Sequence, residues 1–218
     1  MKEVTKKKIF FGDESTNNVT QSGISEQAIQ AAIADGLLEI RRSTDLDAKT
    51  DPGSRAWGAV IRGLRRELLS ENSQWSFSFV NGLNLTHNKE KGLNILVMSG
   101  NKYTGLLDSS PKSKNPKGAA TENLVGENYD LFADGNDISH IQQIDSMVNY
   151  VLLYFFDYGK KEVRYELSVP VGMTSNAGKT RISAWKERNI FQPMPFVQKV
   201  EQLKKEFTEE PTFEVIRK

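Results

Sequence analysis

The sequence predicts a single α+β domain: N-terminal helices, then a mostly antiparallel sheet with a central hairpin, then a C-terminal helix. Three observations carry that prediction. Apolar residues recur at helical spacing through the first third of the chain, and Trp75 to Val80 then alternates strictly. Tyr150 to Phe156 is apolar without a break, which suits a strand covered on both faces, while Val163 to Val169 alternates, which suits one core face and one wet face. In the alternating run the core face is Val163, Tyr165, Leu167 and Val169, and the wet face is Arg164, Glu166 and Ser168. Asp157-Tyr158-Gly159-Lys160-Lys161 supplies the turn between the two runs.

Taken in order, residues 1–24 read as a polar lead and residues 25–218 as the domain. Ser25 caps a helix from Glu26 to Arg41, with Ile29, Ile33, Leu37 and Ile40 on one stripe. Residues 43–53 are loop by composition. Their aspartates do not make a calcium loop, because Lys49 occupies the fifth position and no glutamate falls at the twelfth. Ser54 caps a second helix, Arg55 to Glu71, whose apolar face is Trp57, Val60, Ile61, Leu64 and Leu68. Trp75 to Val80 is a strand, Asn81-Gly82 a turn, and Leu83 to Thr86 and Leu93 to Met98 are further strands.

From Lys102 to Lys117 the pattern lapses into a long polar loop, and a helix follows from Gly118 to Phe132. Ile138, Ile141, Ile144 and Val148 recur at helical spacing. Thr174 to Gly178 is a turn, Arg181 to Phe191 is open between strand and short helix, a helix runs from Phe196 to Phe207, and Phe213 to Ile216 closes as a strand.

Lys plus Arg is 29 against 28 for Asp plus Glu, so any binding of an anionic partner rests on local patches, not on net charge. Cysteine is absent, which removes disulfides, thiolate catalysis and thiolate metal sites. The charged start passes into Gly12-Asp13-Glu14-Ser15 without an apolar core, and no run reaches the roughly 18 apolar residues of a membrane span. A soluble cytoplasmic protein with no membrane contact is the expectation.

Gly172 to Thr180 resembles a phosphate-binding ATPase loop, but five residues separate its glycines where that loop needs four, so the stretch reads as a hairpin connection. The Lys-rich loop is the better phosphate candidate. There a strand, a flexible basic loop and a helix start place Lys112, Lys114 and Lys117 beside the free N–H groups near Gly118. Arg62 and Arg66, on the helix that also carries Arg55 and Arg65, are secondary candidates for the same chemistry. His87 and His140 sit in separate elements with no ligand pattern around them.

Asp157 and Glu166 are the acidic pair tied to the hairpin. Two carboxylates on neighbouring strands can hold Mg²⁺ and activate water, although the lysine that usually accompanies such a pair is missing from Glu166-Leu167-Ser168. Two functions are therefore expected. The first is a non-catalytic binding or assembly module that contacts a protein partner, with a phosphate or nucleic-acid contact at the Lys-rich loop. The alternative is an Mg²⁺-dependent nuclease or phosphodiesterase with Asp157 and Glu166 as both metal ligands and catalytic residues.

Overall fold

The computed structural model describes residues 7–71, 74–133 and 147–196. Within them are four helices and a mixed eight-stranded sheet. The chain opens with β1 (Lys8–Phe11) and α1 (Asp13–Gln21), inside the stretch read from sequence as a polar lead. A four-residue strand and a helix with few apolar positions leave little periodic signal, yet both are fixed by partners distant in sequence. β1 runs parallel to β7 (Lys179–Ile190), and the Asn18 amide of α1 donates to Glu187 Oε1 at 2.7 Å and Asn189 Oδ1 at 2.8 Å.

Helix α2 (Glu26–Arg41) begins where Ser25 accepts a hydrogen bond from the Ala28 N–H at 3.2 Å, the N-cap arrangement expected of that residue. Helix α3 (Asp51–Glu71) starts before Ser54, because Pro52 is compatible with a first helical turn, where its missing N–H costs nothing. The two helices pack closely along Ala28, Ala32 and Gly36. A Cβ at Gly36 would lie 2.5 Å from Val60 Cγ2, so glycine here permits the close approach.

The remaining elements are β2 (Trp75–Val80), β3 (Leu83–Asn88), β4 (Leu93–Ser99), α4 (Ala119–Ala133), β5 (Val148–Asp157), β6 (Glu162–Asn176) and a short β8 (Met194–Pro195). The sheet runs β1-β7-β6-β5-β4-β3-β2, with β8 on β6. Pairing is antiparallel except at β1–β7 and β4–β5. The parallel β4–β5 pair is joined through α4, so these three elements form a β-α-β crossover inside an otherwise antiparallel sheet. The stretch read as open between strand and helix is β7, and it meets β6 at the Ala177-Gly178 turn, whose φ values of 48° and 71° fit a two-residue hairpin.

Both faces of the sheet are covered. One carries Tyr150, Leu152, Tyr154, Val163, Tyr165, Leu167 and Val169 against α2 and α3. The other carries Leu96, Met98, Val151, Leu153, Ile182 and Trp185 against Leu124 and Val125 of α4. Here the alternation in β6 misleads. Arg164, Glu166 and Ser168 are buried, at 4%, 0% and 0% exposure, because residues 101–117 lie over them. The helix read from Phe196 to Phe207, the strand Phe213 to Ile216 and the helical spacing at Ile138 to Ile144 lie outside the described residues, and Val148 is the first residue of β5.

Candidate anion-binding cleft

The polar stretch read as a flexible loop is strapped to the sheet by backbone groups. Lys114 N–H donates to Ser99 C=O at 2.9 Å, Lys117 N–H to Thr180 C=O at 2.8 Å, and Ser113 N–H to Ile182 C=O at 3.2 Å. Side chains of the sheet reach up to the strap's carbonyls. Trp185 Nε1 donates to Pro111 C=O at 2.9 Å, Arg164 Nη2 to Lys102 C=O at 2.9 Å, and Arg188 to the carbonyls of Ser109 at 2.6 Å and Leu106 at 3.1 Å. Carbonyls turned towards the sheet must be satisfied, and the two arginines and Trp185 do that here.

The strap ends at a cleft of about 880 Å³. It opens at the carboxyl ends of the parallel strands β4 and β5, where Ser99, Gly100 and Tyr154 form part of its floor. This is where ligands settle in open sheets with parallel strands, since the chain diverges there into different connections. On one side lies the first turn of α3 (Pro52, Gly53, Ser54), and on the other Gly118 and Thr121 at the start of α4. At α3 Pro52 has no N–H and the Asp51 and Ser54 N–H groups are taken by the Ala48 and Thr50 carbonyls, and at α4 the Thr121 and Glu122 N–H groups are taken by Gly118 C=O. Each start therefore contributes chiefly the positive end of its helix dipole, roughly half a charge.

Three lysines line the cleft: Lys49, Lys114 and Lys117. None is in an ion pair among the described residues, and no Asp or Glu lines the cleft. The nearby carboxylates of Asp47 and Asp51 are both engaged by Arg55, each at 3.1 Å. Lys117 is partly buried, and that burial lowers its pKa from the ordinary lysine value. Burial pushes the Tyr154 phenol up to about 12, offset in part by its hydrogen bond with Ser99 Oγ at 3.2 Å.

Of the phosphate candidates read from sequence, Lys114, Lys117 and Gly118 come together here, whereas Lys112 is exposed outside the cleft. Arg62 and Arg66 belong to a separate groove beside Phe77, where Arg62 approaches Glu39 at 3.8 Å and Arg66 pairs with Asp35 at 2.8 Å and Glu67 at 2.7 Å. Sequence reasoning missed Lys49, the start of α3 and Tyr154. The strand–loop–helix–strand order from Leu93 to Tyr150, the order of a crossover unit, could have pointed to Tyr154 at the end of β5; nothing local marked Lys49 or the start of α3.

Asp157 and Glu166 are not brought together. Both lie on the strap-covered face, but Glu166 pairs across the hairpin with Leu153 and Asp157 with Glu162, a separation of four residues, or roughly 13 Å along a strand. Asp157 accepts from Arg164 at 3.0 Å and from the Lys160 N–H at 3.1 Å. Glu166 has no exposed side-chain surface and is held by Arg188 and by the Gly105 N–H at 3.3 Å. Burial pushes its carboxyl up from the ordinary value, against the pull of Arg188. Among the described residues no three His, Cys, Asp or Glu side chains are grouped to hold a metal ion. His87 is partly buried, which lowers its pKa, and its Nδ1 shares a hydrogen bond with Ser76 at 3.1 Å; His140 lies outside the described residues.

No helix among the described residues is long and apolar enough to cross a membrane. Compared with known proteins, the chain matches no family model, no curated protein and no solved structure.

Proposed function

We propose that this chain is a non-catalytic binding module whose cleft at the ends of β4 and β5 takes a small ligand bearing a phosphate group. One observation carries the reading. The chain as a whole balances 29 basic against 28 acidic residues, yet among the described residues the cleft gathers three lysines free of ion pairs and no carboxylate. Two helix starts border the same space with the positive ends of their dipoles, and a phosphate is the small anion that both those ends and the lysine ammonium groups favour. The strap holds Lys114 and Lys117 by their own backbone N–H groups, so the backbone carrying them is ordered before the ligand arrives.

The same lining argues for binding over catalysis. Among the described residues it has no carboxylate or histidine base, and Tyr154, with its phenol pushed up, is a poor base at neutral pH. Calorimetric titration with pyrophosphate and ribose 5-phosphate tests the proposal. The wild-type chain is expected to bind at least one of them, with affinity falling as salt rises, and Lys114→Gln/Lys117→Gln is expected to lose about ten-fold or more. Equal affinity in that double variant, or binding of neither compound, overturns the reading.

A further inference from the structure

The cleft is too large for a phosphate alone. About 880 Å³ falls in the range of sites that enclose a whole small molecule of drug size, and a phosphate held at the lysines would leave most of it empty. Apart from Lys49, what lines the rest is uncharged, and much of it is aromatic. Trp57 of α3 is 39% exposed and Tyr158, just past β5, is 64% exposed, and both line the cleft. The Trp57 indole is oriented by its Nε1–H, which donates to Val97 C=O at 3.0 Å, so its ring does not need to be ordered by the ligand. Asn84 and Asn115 line the same space and offer amide donors and acceptors without charge.

We infer that the ligand is a single nucleotide, with its phosphate on Lys114, Lys117 and the two helix starts and its base against Trp57 and Tyr158. The inference rests on the phosphate reading above and adds the base to it. A planar heterocycle has two apolar faces and a polar edge, which matches aromatic surface combined with neutral amides better than a sugar phosphate, whose hydroxyls would be set against indole and phenol rings. A nucleic-acid strand fits less well. Successive phosphates need a basic track, and here the unpaired lysines converge on one cleft in a chain of net charge +1.

The test is a calorimetric comparison of adenosine and uridine monophosphates, ribose 5-phosphate, the parent nucleosides and a short single-stranded oligonucleotide, on the full chain. At least one mononucleotide is expected to bind about ten-fold or more tightly than ribose 5-phosphate, the increment a stacked base supplies. Trp57→Leu and Tyr158→Ala are each expected to shrink that increment while leaving ribose 5-phosphate affinity unchanged. Tyr158 is exposed enough that its replacement leaves the fold intact, so the test survives if Trp57→Leu unfolds. Equal affinity for mononucleotides and ribose 5-phosphate overturns the nucleotide inference and leaves the phosphate reading standing. Nucleosides binding as tightly as nucleotides, or no compound binding, overturns both. An oligonucleotide that binds more tightly than every mononucleotide overturns the single-nucleotide assignment.

Discussion

Glu166 and Arg188 are diagonal neighbours across β6 and β7, paired through both guanidinium Nε and Nη2, and neither side chain reaches solvent. The pair also ties down the strap, since Arg188 donates to Ser109 and Leu106 and Glu166 accepts from Gly105. Removing one partner of such a pair leaves a buried charge uncompensated. Glu166→Gln and Arg188→Met are each expected to lower unfolding free energy by about 3–5 kcal/mol, and the double variant by clearly less than their sum. Chemical denaturation of the three variants checks this. Simple additivity would show that the two side chains act independently.

Gly105 is the strap residue that meets Glu166, and its φ of 70° lies in the left-handed region. A Cβ there would stand 2.9 Å from Arg164 Cβ. Strain and crowding both oppose any larger residue, so Gly105→Ala is expected to cost about 1–3 kcal/mol. Its urea midpoint is the readout, with Gly118→Ala as the control, because a Cβ at Gly118 meets nothing within 4 Å.

Asn128 of α4 is buried, and it joins the helix to the sheet by donating to Asn149 C=O and Pro170 C=O, both at 2.8 Å, and accepting from Asn149 N–H at 2.9 Å. Asn128→Leu strands these backbone groups in the core. A loss of about 1–3 kcal/mol is expected, with faster hydrogen exchange at Asn149. Unchanged exchange there would place the helix anchor elsewhere.

Alkaline pH should weaken the fold through its buried phenols. Burial raises the pKa of Tyr154 from the ordinary 10.0 to about 12, and pushes Tyr150 and Tyr165 in the same direction. With folded values above unfolded ones, the unfolded chain loses protons first as pH rises. Stability is therefore complete below pH 10 and declines from there towards 12, on the order of 3 kcal/mol for Tyr154 alone. Denaturation midpoints across that window, repeated on Tyr154→Phe, measure the slope; an unchanged slope would mean that Tyr154 ionises freely in the folded state.

Lys117 responds in the opposite sense. Burial lowers its pKa, so the unfolded chain binds the proton more readily and the free ammonium is a burden on the empty cleft at neutral pH. Lys117→Met is expected to leave the unliganded protein as stable as the wild type or more so, while weakening phosphate-ester binding about ten-fold. In the wild type, affinity should fall as pH rises through the lowered Lys117 value, with proton uptake on binding in that window. Titration in buffers of different ionisation enthalpy detects that uptake.

The helices were legible where their signals are local. Ser25 caps α2, α2 ends at Arg41, and Val60, Ile61, Leu64 and Leu68 face the core as spacing implies, whereas Trp57, read onto the same stripe, is exposed and lines the cleft. Strand β2 was also legible, bounded by its turn pair, but its alternation does not mark a core face: it is the edge strand, and Phe77, Phe79 and Val80 are exposed. What could not be read was set by distant partners. Arg164, Glu166 and Ser168 have the composition of a wet face, and only the strap, which meets Glu166 and Arg164 from 61 and 62 residues away in sequence, makes them interior. The same bonds turn a polar, patternless stretch into a fixed wall, so half of the cleft was visible as lysines at the right loop while its opposite wall, at Trp57 and the start of α3, was not.

The pairing of β1 with β7 also bears on how the chain is made. Residues 8–11 find their partners only at residues 187–190, and α1 needs Ser15 and Asn18 to reach the same strand. At ordinary elongation rates the ribosome takes roughly 10–35 s to add the intervening stretch. Through that interval Ile9, Phe10 and Phe11 have been synthesised without the strand that receives them, a window in which a nascent-chain chaperone would find them.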